Sequence, residues 1–572
     1  MQNINDQFNL WLERATDDPD ITTELKEISG NDGEIYERFY KELEFGTGGL
    51  RGVIGAGTNR MNVYTVARAT QGFSDYLKEK TDCPSVAIAY DSRIKSDVFA
   101  KCAASVFAGN GIKVYIYKEL MPTPMLSFAV RQLKCDGGVV VTASHNPSKY
   151  NGYKAYDENG CQLNADDSHA VISKVEQTDI FDGISKIDFE KGLSDGIIEY
   201  ISEDLINAYL DRVLKESVHN DVLAKSGLRV VYSPLHGTGN KPVRAILKKA
   251  GLFDVTVVKE QELPNGNFPT APYPNPEIKE AFVCAIKLAK DTDPDILLAT
   301  DPDCDRVGIA VKYDGDYKLI SGNQVGVMLT EYLLRERKAL GICPENPIVV
   351  KTIVTTGLAE KICDDYGAKT VNVLTGFKYI GEVIKNLEDN NDDASYVLGF
   401  EESYGYLSSG YVRDKDAVNA SLLICEMAAF YKTQGKSLVE VLENIYEKYG
   451  YYDNSQLSFQ FEGAKGGEIM KEIMSQLRTD VPENIGGKKV VVFNDYLSKI
   501  SKNKLDNTET QLTLPSSDVL EYKLEDGSSC VVRPSGTEPK VKIYIETVGD
   551  GKAQAELLRE NIKNEFSQIM NK

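Results

Sequence analysis

Three stretches of the chain repeat one order of apolar and polar positions. Each begins with a run of β-branched residues, passes through a small polar loop into a segment with apolar residues three and four apart, and ends near a glycine in a second β-branched run. The three stretches are 86–117, 228–258 and 347–374. This order predicts strand–helix–strand units, which build mixed or parallel sheets covered by helices. We therefore expect three related α/β domains.

The pattern changes after about residue 450. Polar strands are predicted in NSQLSFQFEG, KKVVVFND, VLEYKLEDGSSCVVRPSG and KVKIYIETV, and helices in GGEIMKEIMSQLRTD and AQAELLRENIKNEFSQIM. This order is typical of a smaller α+β layer. The predicted fold is α/β, with three similar mixed α/β-sandwich domains and a C-terminal α+β domain. The expected domains are 1–205, 206–320, 321–450 and 451–572.

Composition and net charge argue against some classes of binding partner. The chain has 572 residues and a formal net charge of −21, which argues against nucleic acid or an anionic membrane surface because both require a basic footprint. No apolar run approaches the length of about 18 residues that a membrane span needs. The ten cysteines are scattered, without metal-finger spacing. They are expected to be reduced thiols, as in a cytoplasmic protein.

An acidic loop lies between two apolar runs in ILLATDPDCDRVGIAV. Asp301, Asp303 and Asp305 occupy alternate positions of this loop. Three carboxylates packed between buried strands repel one another unless a cation neutralises them, and their oxygens suit a hard divalent ion. The pattern therefore predicts a metal site, and the alternative is a solvated acidic turn.

Two other loops carry groups suited to a phosphorylated sugar. VLGFEESYGYLSSG contains paired carboxylates and a hydroxyl, which suit sugar hydroxyls but also occur in ordinary surface loops. CVVRPSGTEPKVK places Arg533 beside two hydroxyls and a glycine, a combination that can hold a phosphate dianion or form a plain β-turn. Basic side chains recur in these and the other candidate loops, which favours an anionic small substrate in so acidic a chain. They are Arg51, Lys154, Arg306, Lys378, Arg413, Lys415 and Arg533.

Ser144 is the candidate for covalent chemistry in VVVTASHNPSKYNGYKAY. It does not lie in a GxSxG turn, which excludes an α/β-hydrolase nucleophile. Its neighbour His145 is badly placed to act as its general base. A turn serine without chemistry remains the alternative, but a serine that carries phosphate next to a cation loop would unite the acidic, basic and hydroxyl features.

Four motifs together resemble the α-D-phosphohexomutase superfamily, most closely its phosphoglucomutase/phosphopentomutase branch. TASHNP resembles the phosphoserine loop, DPDCDR the metal loop, GFEESYG the sugar-recognition loop and RPSGTEPK the phosphate-binding loop. The motifs occur in the order found in that family and span most of the chain. The departures are Pro302 and Cys304 in the metal loop and Gly48 where serine is frequent. Oxidation of Cys304 could affect the site, unless its side chain points away.

The resemblance implies a role for each candidate residue. Ser144 would be phosphorylated and would ligate Mg²⁺ together with Asp301, Asp303 and Asp305. Lys154 would be the general base, with a pKa lowered by burial and by neighbouring cations, and Arg51 and His145 would support transfer or contact phosphate. The remaining residues would bind substrate: Arg306, Lys378, Glu401, Ser403, Arg413, Lys415, Arg533, Ser535, Gly536 and Thr537.

The resemblance also implies the reaction. The enzyme would interconvert α-D-glucose 1-phosphate and glucose 6-phosphate through phosphoserine and glucose 1,6-bisphosphate, in a central cleft between four domains. The alternatives are a phosphopentomutase, a phosphomannomutase, a metal-dependent sugar phosphatase with Asp301 as nucleophile, and a sugar-phosphate sensor without turnover. The sequence leaves the oligomeric state open between monomer and dimer.

Overall fold

The computed structural model describes residues 2–46, 48–392, 395–461, 466–535 and 540–570. The chain forms two compact units. The first consists of residues 1–322, 380–399 and 403–437, and the second of residues 323–379, 400–402 and 438–572. None of the helices in the described ranges is both long and apolar enough to cross a membrane.

The first unit begins with three helices that pack around the single tryptophan of the chain. These are α1 (Gln2–Arg14), α2 (Pro19–Glu27) and α3 (Asp32–Phe39). Trp11 is almost fully buried and contacts Phe39, Tyr64 and Phe181 through ring edges. This aromatic cluster fixes the helices on the α/β domain that follows.

A six-stranded mixed sheet follows these helices. Its strands are β1 (Gly49–Val53), β2 (Ser85–Tyr90), β3 (Lys113–Ile116), β4 (Gly137–Val141), β5 (Tyr150–Asp157) and β6 (Ile198–Tyr200). The strand order is β1-β5-β4-β2-β3-β6, with a parallel centre and antiparallel pairing of β5 to both β4 and β1. The helices are α4 (Val63–Lys80), α5 (Ser96–Gly109), α6 (Thr123–Leu133), α7 (Ala165–Gln177) and α8 (Phe189–Ser194).

A second sheet of the first unit has five strands. They are β7 (Val230–Ser233), β8 (Val255–Val257), β9 (Ile296–Thr300), β10 (Val307–Tyr313) and β11 (Asp316–Ile320), in the order β11-β10-β9-β7-β8. The accompanying helices are α9 (Glu203–Leu214), α10 (Val222–Ser226), α11 (Asn240–Lys249), α12 (Lys259–Glu262) and α13 (Val283–Thr292), the last preceded by a 3₁₀ turn at Lys279–Phe282. All five residues of β9 are buried, as its continuous apolar sequence predicts.

The next elements belong partly to each unit. They are α14 (Gly322–Ala339), β12 (Ile348–Thr352), α15 (Leu358–Tyr366), β13 (Lys369–Val373), α16 (Phe377–Asp389), β14 (Tyr396–Phe400), β15 (Tyr406–Leu407), α17 (Ala417–Thr433) and α18 (Leu438–Tyr449). In the second unit β12 and β13 pair in parallel across α15. The three predicted strand–helix–strand units are thus confirmed, at β2–α5–β3, β7–α11–β8 and β12–α15–β13.

The C-terminal sheet lies wholly in the second unit. Its strands are β16 (Tyr451–Gln460), β17 (Asn484–Ile485), β18 (Lys488–Asp495), β19 (Ile500–Asn503), β20 (Thr508–Gln511), β21 (Leu520–Leu524), β22 (Ser529–Pro534) and β23 (Lys540–Gly549). Seven of them follow the antiparallel order β16-β23-β22-β21-β18-β19-β20, and β17 pairs with β18. Helices α19 (Gly466–Thr479) and α20 (Lys552–Met570) complete the predicted α+β layer. Leu477, Leu520, Ile543 and Ile562 lie in its core.

Candidate active site

The ends of buried parallel strands bring the candidate residues of the first unit together. β2 and β4 are parallel neighbours, so the segments after them, 91–93 and 142–144, emerge at one edge of the sheet. β7 and β9 are also parallel neighbours, and Asp301 follows β9 directly. The two edges meet, because Ser144 Oγ donates a hydrogen bond to Asp301 Oδ2 at 2.9 Å.

Ser144 is held in an unusual backbone conformation. Its φ is +51°, in the left-handed region that non-glycine residues rarely occupy. Its backbone N–H donates to Thr142 Oγ1 at 2.8 Å, and its hydroxyl lies 3.2 Å from His145 Nδ1. The residue is only 5% exposed. The hydroxyl is therefore directed at the acidic loop by a constrained turn.

The three loop aspartates converge as predicted. They are 0–1% exposed, and one carboxylate oxygen from each lies within 4.8 Å of the others. Asp301 Oδ1 accepts the backbone N–H groups of Asp305 and Arg306. Asp303 Oδ1 and Asp305 Oδ1 are buried, and the described residues offer neither a hydrogen-bond donor. Buried carboxylate oxygens without donors fit a hard divalent cation, because such an ion supplies the missing charge.

Asp301 and Asp303 differ in their electrostatic surroundings. Burial, followed by repulsion from Asp303 and Asp305, raises the pKa of Asp301 well above its usual range. Burial alone would also raise the pKa of Asp303, but the facing Lys154 ammonium, the hydrogen bonds to the carboxylate and the Lys415 charge together lower it. The cluster thus combines strong carboxylate repulsion with partial neutralisation by lysine.

Two lysines contribute this neutralising charge. Lys154 Nζ lies 2.9 Å from Asp303 Oδ2 and 3.5 Å from Asp305 Oδ2. Lys415 Nζ lies 3.2 Å from Asp305 Oδ2 and 2.9 Å from Asp414 Oδ1. Burial alone would lower the pKa of Lys154, but Asp303 and Asp305 raise it above the ordinary value. The expectation of a lowered pKa is therefore wrong for Lys154, because the carboxylates outweigh both burial and the nearby Lys415.

Arg51 is placed beside Lys154 by the register of β1 and β5. Arg51 pairs with Gly152, and Gly49 pairs with Lys154, so the two cationic side chains start from the same face of the sheet. Gly49 has φ +149° and approaches Tyr153 so closely that any side chain would collide with the carbonyl oxygen. Glycine is therefore required for this close approach of the two strands.

His145 is neutral in this environment. Burial, followed by the Arg306 and Arg51 cations, lowers the pKa of His145 well below its ordinary value. The neutral ring lies next to the Ser144 hydroxyl, which permits hydrogen bonding but does not provide a charged group.

Arg306 joins the aspartate loop to the predicted sugar-recognition loop. Its Nη1 donates to Glu277 Oε1 and to the backbone carbonyl oxygen of Ser403, both at 2.9 Å. Arg306 also forms a β-bridge with Gly405. The predicted substrate-binding residues Arg306 and Ser403 therefore lie together, with the backbone of Ser403 fixed by the arginine.

Arg413 is buried and pairs with a glutamate. Its side chain is 1% exposed, and its guanidinium donates to Gly410 O and pairs with Glu388. These contacts tie α16 to the loop before α17, and the substrate contact of Arg413 stays a prediction. The neighbouring Lys415, in contrast, points at the aspartate cluster.

The Cys304 thiol is removed from solvent. The residue is 0% exposed, and burial, followed by the Asp301 and Asp416 charges, raises the pKa of the thiol well above its ordinary value. A buried thiol without thiolate character reacts slowly with oxidants. The Cys304 side chain thus points into the protein interior, so oxidation of this thiol is not expected to disturb the metal loop.

Three residues of the site escaped the sequence analysis. Thr123, at the start of α6, donates through its hydroxyl to Asp303 Oδ2 at 3.0 Å and through its N–H to Asp303 O at 2.9 Å. Arg93 and Thr142 contact the backbone around Ser144. The only sequence signal for Arg93 was its place just after a buried strand, in AYDSR.

In the second unit the paired glutamates meet the loop that leads to Lys378. Glu401 is 4% exposed and accepts the N–H of Gly376 at 3.1 Å. Glu402 accepts from the hydroxyl of Thr355 at 3.2 Å. Lys378 follows in the first turn of α16, with its ammonium 5.2 Å from the centre of the Tyr379 ring. The predicted substrate-binding residues Glu401 and Lys378 are thus neighbours.

The predicted phosphate-binding loop lies between β22 and β23. Arg533 pairs with Lys542 across these strands, and the Ser535 N–H donates to Lys540 O at 2.7 Å. Gly536 and Thr537 lie outside the described residues. Tyr544, which the sequence analysis missed, lies in the electrostatic field of both loops: burial and then Glu402 raise the pKa of Tyr544 to about 12, while Arg533 opposes the shift. Arg533 and the glutamates therefore approach one tyrosine.

Comparison with known proteins gives the family. Four models described as phosphoglucomutase/phosphomannomutase match in order: α/β/α domain I at 42–180, domain II at 207–315, domain III at 321–449 and the C-terminal domain at 478–564. The phosphoglucomutase of Staphylococcus haemolyticus (strain JCSC1435) is 36% identical over 510 residues, covering 89% of this chain and 90% of the relative. The chain belongs to the phosphoglucomutase/phosphomannomutase family.

Solved structures of the phosphohexomutase fold extend over the same length. Parafusin, a phosphoglucomutase from Paramecium, superposes with a TM-score of 0.67 at 18% identity, covering 93% of this chain and 95% of the other. N-acetylphosphoglucosamine mutase from Aspergillus fumigatus, solved with GlcNAc-6P and magnesium, gives a TM-score of 0.51 at 13% identity, covering 96% and 99%. These likenesses establish the fold alone.

Family membership confirms three expectations from the sequence. The superfamily, the multidomain α/β fold and the assignment to the mutase class of isomerases are as predicted. The buried aspartate cluster confirms that the family's metal loop is present as a potential metal site. The domain boundaries and the individual roles of the site residues stay predictions.

Proposed function

We propose that this family member is a phosphoglucomutase, which interconverts α-D-glucose 1-phosphate and glucose 6-phosphate through a phosphoserine at Ser144. One observation carries the proposal: the Ser144 hydroxyl donates to Asp301 beside two buried carboxylate oxygens that have no donor among the described residues. A serine in this position can carry a phosphoryl group whose negative charge would be balanced by a divalent cation held in the acidic loop. The name shared by curated relatives at 35–36% identity supports glucose phosphate as the substrate.

Asp301, Asp303 and Asp305 would hold Mg²⁺, with an oxygen of phosphorylated Ser144 as a further ligand. Bound there, the ion would neutralise charge on the transferring phosphoryl group. Glucose 1,6-bisphosphate would be the intermediate and the activator that phosphorylates the enzyme. A cytoplasmic location and small sugar phosphates as the binding partners belong to the same proposal.

The chemical step consists of two phosphoryl transfers. In the first, the bond between phosphorus and Ser144 Oγ breaks, a bond forms from phosphorus to the free sugar hydroxyl, and that hydroxyl loses its proton. In the second, the bond between the other phosphorus and its sugar oxygen breaks, a bond forms from that phosphorus to Ser144 Oγ, and the sugar oxygen takes back a proton, which releases the isomeric monophosphate. Arg51 and Lys415 would stabilise the anionic phosphoryl group, since both lie around the serine and aspartate loops.

Lys154 is proposed to exchange the proton of the reacting hydroxyl. Its ammonium lies at the aspartate cluster, within the region where that hydroxyl must approach Ser144. The raised pKa means that Lys154 is charged in this state, so it must lose its proton on entering the transfer step. The alternative role of Lys154 is to stabilise the phosphoryl group through the charge of its ammonium. Substitution of Lys154 can distinguish this role from proton exchange.

Glu401, Ser403, Arg306 and Lys378 are proposed to bind the sugar, and Arg533, Ser535, Gly536 and Thr537 to bind the phosphate that does not react. For Arg533 and the glutamates, the support is that their charges act on the same residue, Tyr544. For Ser403, it is the hydrogen bond from Arg306 that fixes its backbone. For Gly536 and Thr537 it comes from the sequence motif alone. Arg413 has no such support, because its guanidinium pairs with Glu388.

The experiment that tests the proposal replaces the serine. Ser144→Ala should abolish formation of glucose 6-phosphate from glucose 1-phosphate, measured by coupling to glucose-6-phosphate dehydrogenase. Ser148→Ala, in the same loop, is the matched control and should retain activity. Substantial turnover by Ser144→Ala would contradict the proposal. Parallel assays with ribose 1-phosphate and mannose 1-phosphate should show slower turnover, and faster turnover of either would reassign the substrate.

A further inference from the structure

Arg93 contacts four backbone carbonyl groups around Ser144. Its Nη2 donates to the carbonyl oxygens of Ser144 and Asn146, and its Nη1 donates to those of Pro147 and Tyr150, both at 3.0 Å. The Arg93 side chain is 0% exposed. One guanidinium thus spans the whole turn from Ser144 to the start of β5.

Asp91 anchors this arginine and is also linked to the Ser144 N–H through the hydroxyl of Thr142. Asp91 Oδ2 lies 3.3 Å from Arg93 Nε and accepts the hydroxyl of Thr142 at 2.7 Å. The Thr142 oxygen in turn accepts the Ser144 N–H at 2.8 Å. Asp91 Oδ1 accepts the Arg93 N–H and the Ser96 hydroxyl, which fixes the carboxylate at the start of α5.

Both peptide groups of Ser144 are therefore fixed by one pair of residues. The N–H is held through Thr142 and Asp91, and the C=O is held by Arg93. Ser144 has φ +51°, a conformation that persists in non-glycine residues only where the surroundings impose it. The same conformation directs Oγ at Asp301, so the clamp on the backbone also determines where the hydroxyl points.

The loop between α12 and the 3₁₀ turn closes the other side of the guanidinium. The Phe268 ring is fully buried, and its centre lies 5.1 Å from Arg93 Cζ. An arginine stacked on a ring and bonded at its rim has little freedom to turn. Arg93 thus joins the serine turn to the part of the chain that supplies the metal loop.

We propose that Arg93, anchored by Asp91, is a positioning residue that imposes the left-handed conformation of Ser144 and so aligns its hydroxyl for phosphoryl transfer. Arg93 acts through the Ser144 backbone and takes no part in the chemistry. The inference rests on the proposed function, because alignment matters only if Ser144 carries the phosphoryl group. A misalignment of about 1 Å at a reacting atom costs roughly 100-fold in rate.

The test compares Arg93→Met, Arg93→Lys and Thr142→Val with wild type. Arg93→Met should lower kcat roughly 100-fold with little change in KM for glucose 1-phosphate. Arg93→Lys should restore only part of kcat, because one ammonium cannot replace a fork bonded to four carbonyls. Thr142→Val, which removes the acceptor of the Ser144 N–H, should also lower kcat. Amide hydrogen exchange in peptides covering 142–150 should become faster in all three variants.

Arg68→Met is the matched control. Arg68 also binds backbone carbonyls, those of Val175 and Thr178, and pairs with Glu42, but it does not contact the Ser144 turn. The Arg68→Met variant should lose about as much folding stability as Arg93→Met and keep the wild-type kcat. Wild-type kcat in Arg93→Met, or an equal loss of kcat in Arg68→Met, would overturn the inference.

The same set of variants also tests the inference in two other cases. If Arg93→Met does not fold, Arg93→Lys and Thr142→Val decide by the same criteria. If wild type shows no mutase activity, the proposed function fails and exchange in 142–150 alone decides the clamp: faster exchange supports it, and unchanged exchange overturns it.

Discussion

A methyl group added at Gly237 should displace the metal loop without removing any catalytic side chain. Gly237 lies in the loop between β7 and α11, and a Cβ built there would lie 2.5 Å from Pro302 Cα and 2.6 Å from Pro302 O. Carbon atoms in contact need about 3.5 Å, so Gly237→Ala requires a displacement of about 1 Å. The φ of Gly237 is not in the left-handed region, so the effect is steric alone.

The displaced residue lies between two aspartates of the cluster. Pro302 separates Asp301 from Asp303, and its carbonyl accepts the Thr238 N–H at 2.8 Å, which prevents the two loops from simply separating. Overpacking of this kind costs about 1–3 kcal/mol of folding stability, so the variant should fold. A shift of about 1 Å at the carboxylates should lower kcat roughly 100-fold and raise the Mg²⁺ concentration needed for half-maximal activity.

The assay measures glucose 6-phosphate formation by coupled reduction of NADP⁺ over a series of Mg²⁺ concentrations, with thermal unfolding recorded alongside. Gly467→Ala is the control, because Gly467 lies in the first turn of α19 with no atom within 4 Å of the added methyl. It should keep full activity and gain up to about 1 kcal/mol of stability. Wild-type kcat and Mg²⁺ dependence in Gly237→Ala would refute the claim that this contact positions the aspartates.

Three other outcomes are expected. Lys154→Met should lower kcat by roughly 10²–10⁴-fold; Lys154→Arg should remain equally slow if proton exchange is the role of Lys154, whereas substantial recovery would show that the charge suffices. Asp303→Asn should weaken the response to Mg²⁺ after chelation, because it removes one of the buried oxygens that lack a donor; an unchanged Mg²⁺ titration would place the metal elsewhere. Iodoacetamide should label the exposed Cys83 of the native enzyme and leave Cys304 unlabelled and activity intact, as peptide mass spectrometry can check; inactivation that tracks labelling of Cys304 would contradict its burial.

The local parts of the site were accessible from the sequence. Alternating aspartates after a buried strand predict a convergent cluster, because the tight turn leaves few other arrangements, and Asp301, Asp303 and Asp305 do converge. Strand–helix–strand periodicity predicted the parallel strands whose ends carry Ser144 and Asp301. These features depend on short-range geometry that residue order largely determines.

The contacts of the site that join distant parts of the chain could not be predicted from the sequence. Arg93 reaches the Ser144 turn from a separate strand end more than fifty residues away in the chain, and no local pattern reports which carbonyls a guanidinium will meet. The direction of the Lys154 pKa shift depends on Asp303 and Asp305, whose approach is set by tertiary packing. The Arg413–Glu388 pair is also long-range, because Glu388 comes from a helix whose position the sequence does not reveal.

The central claim is that Ser144 carries the phosphoryl group. The most direct measurement is phosphopeptide mapping of the enzyme after incubation with glucose 1,6-bisphosphate and Mg²⁺, with removal of the label by excess glucose 6-phosphate as the chase. We expect a single phosphorylated residue, Ser144, which loses its phosphoryl group to the sugar in the chase. A label on Asp301, or rapid sugar isomerisation with Ser144 unmodified throughout, would contradict it.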